Sequence, residues 1–171
     1  PSVGVYFADV VAPQAAGSTP GGNGAGVGNM FDLQNVQVIK GPQGTLFGRN
    51  TTGGAILLVP HKPTDSLEGY VEGSVGKYDM LRGQAVLNIP LADTFKVRLG
   101  VDRMKRDGYL RNRSGVGPDA FADTDYVSGR LSVVANLTPD LENYTVATYT
   151  DSHNNGSLRR VQACVKAPTS A

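Results

Sequence analysis

Residues 95–103 read Phe95-Lys96-Val97-Arg98-Leu99-Gly100-Val101-Asp102-Arg103, and their alternation decides the fold. Successive side chains of a strand point to opposite faces, so Phe95, Val97, Leu99 and Val101 share one side. Lys96, Arg98, Gly100 and Asp102 share the other. Working outward, the same period of two recurs in four more segments. In Leu67 to Tyr78, Val71, Gly73 and Val75 oppose Tyr70, Glu72 and Ser74; in Arg82 to Ile89, Ala85, Leu87 and Ile89 oppose Arg82, Gln84 and Asn88. Tyr126 to Leu137 sets Val127, Leu131, Val133, Ala135 and Leu137 against Ser128, Arg130, Ser132 and Asn136, and Leu141 to Thr150 is a weaker fifth. Each segment is close to the ~9 to 11 residues of a tilted transmembrane strand.

A soluble antiparallel sheet carries the same alternation, so loop lengths have to separate the two cases. Pro90 to Thr94 and Thr138 to Asp140 are tight turns, whereas Asp107 to Thr124 and the residues after Asp151 are long. Short turns on one side and long loops on the other are the habit of outer-membrane barrels. Lipid would then meet Val97, Leu99, Val101, Leu131, Val133 and Ala135, while Arg98, Asp102 and Arg130 would face the lumen or whatever fills it. On that reading Leu99→Arg costs roughly 2 to 4 kcal/mol at mid-membrane depth, and Arg98→Leu much less.

Upstream of Leu67 the character differs. Val3 to Val11 is β-branched and aromatic and reads as a strand, and Pro13 to Asn29 is a Gly-, Ala- and Pro-rich loop. Phe31 to Asn35 suits one helical turn with Asp32 as its cap, and Val36 to Ile39 is a short strand ending at Gly41-Pro42. Gln43 to Phe47 suits a brief helical turn after Pro42. Ala55 to Val59 is an unbroken apolar run, the pattern of a strand buried on both faces. The boundaries that follow are an α+β unit over 1–60, a Pro-stiffened linker over 61–66 and barrel strands over 67–171.

Composition narrows the function. Charged residues are 18% of the 171, apolar residues 40%, and glycines number 22, so polar and apolar residues interleave finely. No run reaches the ~18 apolar residues of a membrane-spanning helix. A net charge of +1 with scattered basic residues leaves no footprint for nucleic acid. Cys164 is the one cysteine, so neither an internal disulfide nor a thiolate cluster can form; it is a free thiol or pairs with a cysteine of a longer chain. Pro1 opens the chain with no secretion signal, and the chain reads as truncated at both ends.

Catalytic and cofactor motifs fail on inspection. The run Gly41 to Gly54, GPQGTLFGRNTTGG, is glycine-rich like a phosphate loop, but Arg49-Asn50 stands where Lys followed by Ser or Thr is needed. His61 and His153 lack partners at metal-ligand spacing. Ser66, His61 and Asp65 could be grouped as a triad only on a Pro-flanked linker without an oxyanion glycine pattern. No catalytic residue, metal ligand or cofactor is assigned.

The stretch Phe31 to Val59, FDLQNVQVIKGPQGTLFGRNTTGGAILLV, resembles the closing part of the plug in TonB-dependent outer-membrane receptors of the iron-complex type. Pro63-Thr64-Asp65, Glu68-Gly69-Tyr70, the NIPL within Val86 to Leu91, and Arg106-Asp107-Gly108-Tyr109 resemble the first barrel strands of that family in the same order. The resemblance implies a barrel of about 22 strands stoppered by the plug. It further implies an outer-membrane location among lipid, uptake of a ferric siderophore or similar iron complex, no chemistry on the ligand, and opening driven by TonB through an N-terminal box that this chain lacks. Ligand contact is expected from the plug's apical loops, at Asn23, Asn29, Arg49, Asn50, Thr51 and Thr52, with help from Arg111 to Asp123. Gln37 and Lys40 stand where the family usually has a Glu and an Arg that seat the plug, so that pair is altered here, and Leu57 replaces a usual Asn. The alternatives are a passive porin or structural barrel protein, a receptor for a sugar or cobalamin, and a soluble β-sandwich binding module or enzyme.

Overall fold

The computed structural model describes residues 3–12, 30–48 and 51–156. The loop 13–29 with Asn23 and Asn29, the pair Arg49 and Asn50, and Cys164 lie outside the described residues. Two large sheets and one two-stranded ribbon are built. The first is mixed, with strands β1 (Val3–Phe7), β2 (Val10–Val11), β3 (Leu33–Lys40) and β4 (Gly54–Pro60) in the order β2-β1-β4-β3, plus one helical turn α1 (Gly44–Phe47). β4 lies between β1, parallel to it, and β3, antiparallel to it. A central position explains the unbroken Ala55 to Val59 run: Leu58 is 2% exposed and packs with Ala12, Val5, Phe7, Leu33 and Ile56.

Two local expectations are corrected here. Val3 to Val11 is not one strand but a hairpin, turning through Ala8 and Asp9, both with positive φ. Ala-Asp can adopt the left-handed pair of a tight hairpin turn but does not advertise it as Asn-Gly would. Phe31 to Asn35 forms no helical turn: Asp32 sits at φ +50 and β3 starts at Leu33. The side chain of Asp32 is drawn to a partner far away in sequence, described below, rather than to the next backbone amides.

The second sheet is the antiparallel meander expected from the alternation. It runs β5 (Glu68–Gly76), β6 (Met80–Ala92), β7 (Phe95–Arg106), β10 (Thr124–Thr138) and β11 (Leu141–His153), neighbours in sequence being neighbours in space. β6 continues through Pro90 to Ala92, where the pairing is irregular and the missing proline N–H is tolerated. The reversal is therefore at Asp93 and Thr94. Between β7 and β10 the long loop carries a small ribbon, β8 (Leu110–Arg111) paired with β9 (Ala120–Phe121). At that same end β5 and β6 are joined by only Lys77 to Asp79, so this end carries a tight turn beside the long loop. The long loop leans on this tight turn: the Asp107 amide donates to the Tyr78 carbonyl at 2.8 Å, and the rings of Tyr78 and Tyr109 lie 6.0 Å apart.

Candidate functional site

The meander buries its polar face and exposes its apolar one. Register places Leu87, Leu99, Leu131 and Ala147 in one row across four strands, and Ile89, Val97, Val133 and Thr145 in the next. Leu87 is 45% exposed, Leu99 44% and Val71 85%. On the opposite face Asn88 and Asp102 are 0% exposed, and Arg98, Arg130, Ser128 and Ser132 are also buried. A water-soluble sheet would do the reverse, because burying apolar area is what drives folding in water. The outward residues of β10 from Val127 to Leu137 are uncharged over about ten residue steps. At ~3.4 Å per residue and a tilt near 40°, they span about 26 Å, close to the ~25 Å apolar band of an outer-membrane barrel. Charge returns beyond that band, where Arg103 pairs with Asp125. Among the described residues no helix is long and apolar enough to cross a membrane.

The buried polar face is where the first sheet docks. Arg98 donates from Nε to Asp32 Oδ2 at 2.8 Å and from Nη2 to Oδ1 at 2.6 Å, a two-pronged pair that is nearly dry, with the side chains 8% and 5% exposed. Charges removed from water need such partners, and the flat guanidinium suits a carboxylate. Arg130 donates from Nη1 to the Phe31 carbonyl at 2.8 Å and lies over two rings, Phe31 at 4.5 Å and Phe7 at 4.7 Å. The first sheet is thus held to the wall by consecutive residues, Phe31 and Asp32.

The connection between the sheets is clamped beside that point. Asn88, the cross-strand neighbour of Arg98, accepts from the Thr64 amide at 3.0 Å. Its Nδ2 donates to the Thr64 carbonyl at 3.0 Å and the Ser66 carbonyl at 2.6 Å. The His61 amide donates to the Asp32 carbonyl at 3.2 Å, and Arg98 also reaches Glu68 at 3.4 Å. Lys62 to Glu142 and Lys96 to Asp65 add ion pairs at the short-turn end. Further up the wall, Arg82 grips Asp102 with two bonds of 2.9 Å and the Tyr126 hydroxyl donates to Asp102 at 2.9 Å, so the buried carboxylate is fully engaged.

The residues singled out from sequence are placed as follows. Thr51 is 1% exposed and its hydroxyl donates to the Gly48 carbonyl at 2.7 Å, so it shapes the loop from within, whereas Thr52 is exposed. Gln37 and Lys40 are exposed on β3, with the Gln37 amide donating to Asn35 at 3.2 Å. His61, Asp65 and Ser66 belong to the clamped connection, and no metal-holding group of His, Cys, Asp and Glu occurs among the described residues. Arg98 and Arg130 face inward as the alternation required, but their partners Asp32 and Phe31 were not legible, nor was the role of Asn88. Arg98 is itself the one available signal: a buried arginine demands a carboxylate, and Asp32 supplies it from the docked pair Phe31 and Asp32.

No family signature matches the chain. Over 64 residues it is 39% identical to the pesticin receptor of Yersinia pestis, covering 37% of this chain and 10% of that protein. Over 120 residues it is 34% identical to the catecholate siderophore receptor Fiu of Escherichia coli K12, covering 64% of this chain and 16% of the receptor. The ferric yersiniabactin uptake receptor FyuA of Yersinia pestis superposes on 88% of the chain with a TM-score of 0.66 and 25% identity, using 22% of that receptor. The chain is similar to siderophore receptors of the TonB-dependent kind. It spans about a tenth to a fifth of the length of these relatives. The closed form of Fiu, at 23% identity and a TM-score of 0.69, has the same fold over 88% of the chain, so the two sheets together match the plug and barrel region of such receptors. Every relative named here is a receptor.

Proposed function

We propose that the chain supplies the closing half of the plug (1–60), a linker (61–66) and the first wall strands (67–171) of an outer-membrane receptor that takes up a ferric siderophore or similar iron complex. The observation that carries this reading is a plug-like α+β unit docked on the buried polar face of a sheet whose apolar face is exposed. The names of the relatives, a catecholate siderophore receptor and a ferric yersiniabactin uptake receptor, supply the cargo class. The remaining strands of a barrel of about 22 would close the two sheet edges, since unpaired backbone is too costly in hydrocarbon. The protein performs no chemistry on its cargo; TonB supplies the work that moves the plug. Asn23, Asn29, Arg49, Asn50 and Thr52 meet the ligand at the plug apex, with Thr51 bonded to Gly48 at the base of the second of these loops. Gln37 and Lys40 seat the plug against strands beyond the five of this chain. A passive pore is disfavoured because a docked plug unit on the lumenal face would obstruct it.

Uptake of radiolabelled ferric complexes by cells carrying the full-length receptor tests the proposal. Uptake should require TonB, and deletion of Gly21 to Gly28 should weaken ligand binding while the barrel stays folded. TonB-independent uptake would favour a passive pore, and unchanged affinity would reduce the loop to a spacer.

A further inference from the structure

Phe31 is 3% exposed, and the wall is what buries it. A Cβ at Gly100 would stand 2.6 Å from Cε2 of Phe31 and 3.3 Å from its Cζ, so the ring occupies the space that any other residue at 100 would fill. Val86, Gly100 and Arg130 are direct cross-strand partners and form one row of the polar face. Val86 closes one side of the depression, with Cγ2 3.5 Å from the same Cβ position, and the Arg130 guanidinium covers the ring at 4.5 Å. Glycine in mid-strand is unfavourable and signals a bulge or a close approach. Gly73 and Gly83 have nothing within 4 Å of such a Cβ, so Gly100 differs from these wall glycines in being filled by another part of the chain.

We propose that Phe31 and Gly100 form a knob and socket that set the resting position of the plug, with Arg130 as its cover and the adjacent Asp32–Arg98 pair fixing its depth. Phe31 and Gly100 are positioning residues: they touch no cargo, and act by holding the plug where it closes the lumen. The proposal rests on the plugged-receptor reading above.

Conductance of the full-length receptor in planar bilayers tests it, with heat-modifiable gel mobility as the control for a folded barrel. Gly100→Ala should raise the frequency of open-channel events by about tenfold or more, the effect of losing one good contact on a two-state equilibrium. Strand propensity alone predicts the opposite, a steadier wall. Phe31→Ala, which leaves the wall untouched, should leak similarly, and Gly100→Ala with Phe31→Leu should return toward the closed wild type because the smaller knob fits the shallower socket. A Gly100→Ala receptor as closed as wild type, or a leak that Phe31→Leu does not reduce, would overturn the socket while leaving the receptor reading intact. A wild-type receptor that fails to form a heat-modifiable barrel, or conducts freely, would overturn both.

Discussion

Replacing Arg98 by Met keeps the length and apolar stem of the side chain and removes the guanidinium. Asp32 would then keep its carboxylate in a place where its side chain is 5% exposed, having lost two bonds of 2.6 and 2.8 Å. Removing one partner of a buried ion pair costs about 3 to 5 kcal/mol, most of it the penalty for the stranded charge rather than the net worth of the pair. Asp32→Asn should cost less, about 1.5 to 3 kcal/mol, since the amide oxygen still accepts and Arg98 still has Glu68 at 3.4 Å. The double variant carries neither charge, so its cost should fall short of the sum by about 1.5 to 3 kcal/mol. Hydrogen exchange over β3 and β4 in the detergent-solubilised full receptor reads this opening locally, while gel mobility reports the barrel separately. Additive single costs, or loss of the barrel with the plug left protected, would refute the docking argument.

Two further outcomes follow from the wall. Leu99→Arg places a charge on the exposed face at mid-strand and should destabilise the inserted barrel by about 2 to 4 kcal/mol in a folding titration into lipid vesicles, whereas Arg98→Leu should leave insertion nearly unchanged and loosen only the plug. Asn88→Ala leaves Thr64 and Ser66 without their wall partner and should cost about 1 to 3 kcal/mol, seen as faster hydrogen exchange over residues 61–67 with β4 unaffected.

The wall was readable because a period of two is enforced at every residue. Once Leu99 is outward, Arg98 and Gly100 must be inward, and the five strands and the inward arginines come from that rule. What escaped depends on partners remote in sequence or on weak local signals. Asp32 beside a short apolar stretch has the look of a helix cap, because capping is a local statistic; its real partner is 66 residues away. Ala8-Asp9 lacks the turn residues that announce a hairpin, so β1 and β2 read as one strand. Pro90 argued for a strand end, yet the irregular pairing beside Ala92 absorbs it. Asn88 looks like any other polar residue of the inward face until the linker is seen wrapped around it. The small cost expected of Arg98→Leu concerns insertion; the Asp32 carboxylate against Arg98 adds a cost for docking that alternation alone does not reveal.

The central claim is that one face of this sheet meets lipid and the other meets the plug. Nitroxide labels placed singly at positions 97 to 102 of the full-length receptor in lipid vesicles test it most directly, read by collision with oxygen and with a water-soluble nickel complex. The account predicts a period of two, with oxygen accessibility high at Val97, Leu99 and Val101 and low at Arg98, Gly100 and Asp102. Nickel access equal on the two faces, or oxygen maxima at the even positions, would contradict it.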